Sequence, residues 1–260
     1  MFTRCAGKSR HSRHGGSYAV LGATTVTNTG SSVLSGNLGV YSGTAITGFP
    51  PGGVINGSTY ASTPEALAAQ VEAMTGFTSL NALSSTGNLT GQNLGGLVLT
   101  PGVYTYSSSA ELSGGPLTLN FEDLNGATIV LQIGSTLTTA SGSDILVENL
   151  GTDDNVYYTV GSSATLGTDS TFLGDIIAED SVALTTGANI TCGSAIALTG
   201  AVTLDTNNIT DCSSSGSDVS SATDTVFNGP PTVTPEPGAL VLLSTGLLAG
   251  AGACRRRFFA

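Results

Sequence analysis

Residues 181–191 read SVALTTGANIT, and three other stretches fall into the same frame: STLTTASGS from Ser135, ATLGTDSTF from Ala164 and VTLDTNNIT from Val202. Leu166 and Leu184 lie 18 residues apart and Leu184 and Leu204 lie 20 apart. Leu137 to Leu166 is 29, the excess being assigned to a polar loop around residues 149–155. A repeat of about 20 residues, with a few apolar positions and Gly corners in each, is the pattern of a β-solenoid. One rung cannot bury its apolar side alone, so stacking must build the core from residues such as Leu184, Ile190, Leu204 and Ile209.

Counted from each Leu, Thr168, Thr186 and Thr206 share a column, which Thr139 joins from the earlier rung. Three residues on come Thr171 and Asn189, with Asn208 displaced by one. Two readings of these columns stand side by side. Thr is a good outward-facing strand residue in its own right. Alternatively, hydroxyls and methyls repeated about every 4.8 Å across rungs, and about every 6.7 Å along a strand, form an uncharged lattice that could order water.

Charge narrows the function classes. The formal net charge is −11, and all seven basic residues are terminal: Arg4, Lys8, Arg10 and Arg13, then Arg255, Arg256 and Arg257. No Lys, Arg or His occurs in residues 17–235, so the body has nothing with which to neutralise phosphates, and nucleic-acid and nucleotide binding are excluded. The same gap removes the partner that a Ser or Cys nucleophile needs, and the base of a uronate lyase. Acidic pairs such as Asp153/Asp154, Glu179/Asp180 and Glu122/Asp123 sit in loops and read as solvated charges. No enzyme, cofactor or metal site is therefore expected.

Residues 62–83 differ from the rest. Thr63 can cap a helix, Pro64 suits its first position, and Leu67, Val71 and Met74 recur at helical spacing. One amphipathic helix over 63–83 is expected, with that stripe as its packing surface. Cys192 and Cys212 fall in nearly the same column of adjacent rungs, since Ile190 precedes the first by two residues and Ile209 precedes the second by three. Stacked strands bring such positions within disulfide range. A disulfide and two buried thiols are the alternatives, and the disulfide is the expected state.

The ends divide the chain further. Residues 1–16 are basic with no apolar run, an incomplete or misassigned signal. Residues 17–212 form the body, and 213–234 are a Ser/Pro-rich linker. The segment 235–260 carries Pro235, Glu236 and Pro237, an apolar run over 238–254, then Arg255, Arg256 and Arg257. That order resembles the PEP-CTERM sorting tail of exported bacterial proteins. The resemblance implies transient membrane contact through 238–254, an exosortase-type sorting enzyme as partner, and residence at the cell surface or in extracellular matrix.

The body carries YAVLGATTVTNTGSSVLSGNLGV, LTGQNLGGLVLTPGVYTYSSSAEL and VGSSATLGTDSTFLGDIIA in order. Over about residues 18–210 it resembles the microbial ice-binding protein family DUF3494. The resemblance implies a mainly β fold: a discontinuous right-handed β-helix of triangular cross-section with one long α-helix alongside. It also implies adsorption to ice. The family's motif, Thr-Ala/Gly-x-Thr/Asn, is met by Thr186-Gly187-Ala188-Asn189 and, at its ends, by Thr168-Asp169-Ser170-Thr171. It is incomplete at Thr139 and shortened over Thr206 and Asn208. Such an irregular array implies moderate or weak ice adsorption. A surface protein or adhesin of the same fold without ice affinity is the competing reading.

Overall fold

A computed structural model describes residues 18–212. The expected N-terminal segment, linker and sorting tail lie outside the described residues. Each rung passes through three faces in the same order. A nine-stranded sheet A, a seven-stranded sheet B and, on the third face, a five-stranded sheet C beside a three-stranded sheet D are all built from parallel pairs. Sheets C and D meet at one bridge, Asp144 with Thr171.

The winding is discontinuous. The first strand, Tyr18–Gly22, lies in sheet A beside Ala195–Ala197, so the start and end of the described chain meet in mid-stack. Residues 18–61 build one end of the stack, the helix follows, and the chain resumes at the opposite end with Gly87–Asn88.

Inward alternation fills the centre with one continuous apolar column after another. Leu137, Ala164, Val182, Val202 and Val26 are aligned in sheet B, followed inward by Leu166 against Leu184. All are buried, and truncating a residue such as Leu166 to Ala would cost about 2–5 kcal/mol. The corner after sheet B needs a left-handed residue. Gly142 and Gly187 supply it with φ of 65° and 72°, and Asp169 and Thr206 take it with φ of 55° and 56°.

The helix runs over Pro64–Asn81, with Thr63 Oγ1 accepting from the Ala66 N–H at 3.3 Å. Its packing face differs from the expected stripe. Leu67, Val71 and Met74 are 39, 58 and 44% exposed, whereas Ala66, Ala69, Ala73, Gly76 and Leu80 are buried. Small side chains let the helix axis approach the flat outer side of sheet A, where Val130, Tyr157, Ile177 and Ile196 meet it. Large residues at those positions would hold it away. Polar contacts fix its register: Gln70 Nε2 donates to the Ala197 carbonyl at 2.9 Å, and Thr159 Oγ1 donates to Asn81 Oδ1 at 2.7 Å. The middle of sheet A is consequently buried on both sides, as its strand Asn155–Val160 shows at every position.

Cys192 and Cys212 are joined by a disulfide across adjacent rungs, with Cα atoms 5.2 Å apart. Burial raises the hydroxyl pKa of Tyr18 and Tyr158, and pushes that of Tyr106 up to about 12.

Candidate functional site

Among the described residues, sheet B presents the one broad strand surface whose outward positions are nearly all small or hydroxylated. Its strands alternate strictly. Thr25–Thr29 turns Thr25, Thr27 and Thr29 outward and Val26 and Asn28 inward. Stacking in register then places Thr138 beside Thr165, Thr165 beside Ala183, Ala183 beside Thr203, Thr203 beside Thr27, and Thr27 beside Thr47. Glu111 ends the row beyond Thr138. Neighbouring members are about 4.8 Å apart, the spacing of paired strands. The row is straight because the aliphatic column beneath it is unbroken. It is also uncharged apart from its end.

The sequence-derived columns fall beside this row, not on it. Thr168 and Thr186 are exposed neighbours at the corner from sheet B to the third face, linked by the Asp169 N–H donating to the Thr186 carbonyl at 3.0 Å. Their hydroxyls are partly engaged. Thr168 Oγ1 lies 3.4 Å from Thr185 Oγ1, and Thr186 Oγ1 donates to Asp205 Oδ2 at 2.5 Å. Thr171 and Asn189 pair in sheet C, and the Asn208 N–H donates to Asn189 Oδ1 at 2.7 Å. That row turns away from sheet B onto the third face and continues into Val33.

Two of the expected positions are corrected. Thr139 is 3% exposed and cannot touch a surface. Leu137 pairs with Ala164, not Leu166, so Thr139 belongs to the inward column, where its Oγ1 accepts from the Gly167 N–H at 2.9 Å. Thr206 does not share the Thr168/Thr186 column either. The rung is one residue short, and the Gly187 N–H donates to the Asp205 carbonyl, as that of Asp169 does to Thr186. Asp205 therefore follows Thr186, and Thr206 takes the left-handed corner.

The residues that sequence reasoning missed are Thr27, Thr47, Thr138, Thr165 and Thr203. The signal was present in the alternating TVTNT at 25–29 and in the residue before Leu166 and Leu204, whereas Thr138 follows Leu137 and Thr47 follows Ile46. Among the described residues no group of three or more His, Cys, Asp or Glu side chains is placed to hold a metal ion. The surface offers hydroxyls and methyls in a plane and no chemistry.

A parallel, three-faced, discontinuous β-solenoid with a helix against one face and a flat Thr-rich face beside it defines a class of binding protein. The profile described as Ice-binding-like matches residues 20–210, and the chain belongs to that family, which is not one of enzymes. An ice-binding protein of Nostoc sp. (strain HG1) is 47% identical over 93% of this chain and 85% of its own length. A crystal structure of an ice binding protein from an Antarctic biological consortium superimposes with a TM-score of 0.71 at 38% identity, covering 74% of this chain and 86% of that one. The DUF3494 domain of Shewanella frigidimarina ice-binding protein 1 gives a TM-score of 0.68 at 27% identity, over 75% of this chain and 93% of that domain.

Proposed function

We propose that this chain adsorbs to ice through the outer face of sheet B, with Thr27, Thr47, Thr138, Thr165 and Thr203 as the central row and Thr168 and Thr186 at its margin. One observation carries the reading: a single straight row of hydroxyls and methyls that continues across the chain discontinuity. Each Thr pairs a hydrogen-bonding oxygen with a methyl that restricts the water around it. A rigid, regular set of such groups holds a water layer in ice-like positions at little entropic cost on binding. Ice growing between adsorbed molecules must then curve, which opposes further growth. Thr171, Asn189 and Asn208 extend the same chemistry around the corner onto a second plane.

The export reading is a further part of the proposal. The tail over 235–260, with Pro235-Glu236-Pro237 and Arg255-Arg256-Arg257, would be handled by an exosortase-type enzyme, leaving the body at the cell surface or in extracellular matrix. A disulfide in the body suits an oxidising destination.

The test is thermal hysteresis of the purified full chain, read together with ice-crystal shape. A gap between melting and freezing with faceted crystals supports the proposal. No gap and round crystals from a folded sample favour the surface protein without ice affinity.

A further inference from the structure

A groove of about 440 Å³ opens beside the C-terminal end of the helix, along the corner where the strands of sheet A lead into sheet B. Phe77 supplies a half-buried aromatic wall, and Gly134 and Gly161, where a Cβ would meet the backbone of the neighbouring rung, let the rungs stack closely beneath it. Asn81, Asn88, Gln132 and Glu179 are among its polar lining, together with Thr90, Thr105 and Ser107.

The three amides are each half used. Gln132 Nε2 donates to the carbonyls of Leu80 at 2.7 Å and Leu83 at 3.0 Å, which leaves its oxygen as an acceptor. Asn81 Oδ1 accepts from Thr159 Oγ1, and Asn88 Oδ1 accepts from the Thr90 N–H at 2.9 Å, so both keep their NH₂ groups as donors. These bonds fix each amide before any ligand arrives. A ligand that used the free halves would order no further side chain.

We infer that this groove binds a neutral polysaccharide. A sugar ring has an apolar C–H face that suits the Phe77 wall. Its edge carries hydroxyls that both donate and accept, and the groove offers amide donors, an amide acceptor and the Glu179 carboxylate strung along its length. Charge sets the class. Residues 17–235 hold no cation, and Glu179 repels carboxylates, so uronate and sulfated chains are disfavoured. From Asn88 to Glu179 the groove crosses four rung steps, about 19 Å at the spacing of paired strands, enough for a short stretch of polymer.

The experiment is affinity electrophoresis of the full chain in native gels cast with dextran, a mixed-linkage β-glucan, hydroxyethylcellulose or galactomannan, with alginate as the uronate control. At least one neutral polymer should retard the protein while alginate does not. Asn88→Ala and Glu179→Ala should each weaken that retardation about tenfold, and Phe77→Ala should abolish it. Glu179 is an exposed side chain with no hydrogen bond to another residue, so its variant folds and decides the matter even where Phe77→Ala does not. Thr165→Tyr should remove ice activity and leave the retardation, which separates this inference from the ice-binding reading. Retardation by none of the neutral polymers, equal retardation by alginate, or retardation unchanged in Asn88→Ala and Glu179→Ala would overturn it.

Discussion

Thr203 and Thr27 are paired in register on the outer face of sheet B although they come from opposite ends of the described chain. Within sheet B, Val202–Asp205 is the last strand of the part that follows the helix, and Thr25–Thr29 is the first of the part that precedes it. One surface row is thus assembled from two separately wound pieces. A break in register at this seam would split the row, and the structure shows none.

The first prediction tests the row as a unit. Thr27→Tyr and Thr203→Tyr should each remove most of the thermal hysteresis, because a ring standing off the plane holds ice away on both sides of the seam. Both positions are exposed, so unfolding free energies should stay within about 0.5 kcal/mol of the parent. Thr191→Tyr, on the third face, should leave hysteresis largely intact. The reverse pattern would assign the work to sheet C.

Thr139 gives the opposite expectation. Thr139→Val preserves the shape of a buried side chain but deprives the Gly167 N–H of its acceptor. A buried donor left unmatched costs about 1–3 kcal/mol. Urea denaturation should show that loss, while hysteresis per folded molecule stays at the parental value. A loss of ice activity without a loss of stability would contradict the burial.

The contrast between those two positions explains what the sequence made legible. The repeat of about 20 residues, the parallel stack, the helix and the cysteine pairing follow from spacing, because a solenoid prints its period directly on the chain. The register of the rung at 135–143 does not. Leu137 and Leu166 look equivalent, yet two residues separate the true alignment from the apparent one, and a Thr meant for the surface lands in the core. The helix misleads for a related reason. Leu67, Val71 and Met74 form the more hydrophobic stripe, but a flat sheet admits a close helix only over Ala66, Ala69, Ala73 and Gly76. Transfer energy favours the first set, and packing distance decides for the second. Amide orientations along the groove depend on contacts between distant rungs, and no local pattern announces them.

The disulfide should matter for stability and little for the surface. It closes a loop with a sequence separation of 20 residues, for which restriction of the unfolded chain is worth about 3 kcal/mol. Cys192→Ser with Cys212→Ser should lower the thermal midpoint, and reductant should lower the parent toward the same value. Ice activity measured below either midpoint should not change. A reductant-insensitive midpoint would mean two buried thiols.

Alkaline pH should unfold the body, and the buried tyrosines give the sign. Burial raises the hydroxyl pKa of Tyr18, Tyr106 and Tyr158 in the folded state above the value near 10 of the unfolded chain. The folded state therefore holds these protons more tightly. Stability is fully present below about pH 10 and falls as pH rises through the folded-state values. Urea midpoints should be flat through neutrality and drop above about pH 10. Tyr158 sharpens the test, since its ring packs on Phe172 and its hydroxyl is buried without a hydrogen-bond partner. Tyr158→Phe removes both the titration and the unmatched hydroxyl, so it should keep or raise neutral-pH stability, by up to about 1 kcal/mol, and flatten the alkaline decline. A variant that is less stable at neutral pH, or declines as steeply as the parent, would place the alkaline sensitivity elsewhere in the stack.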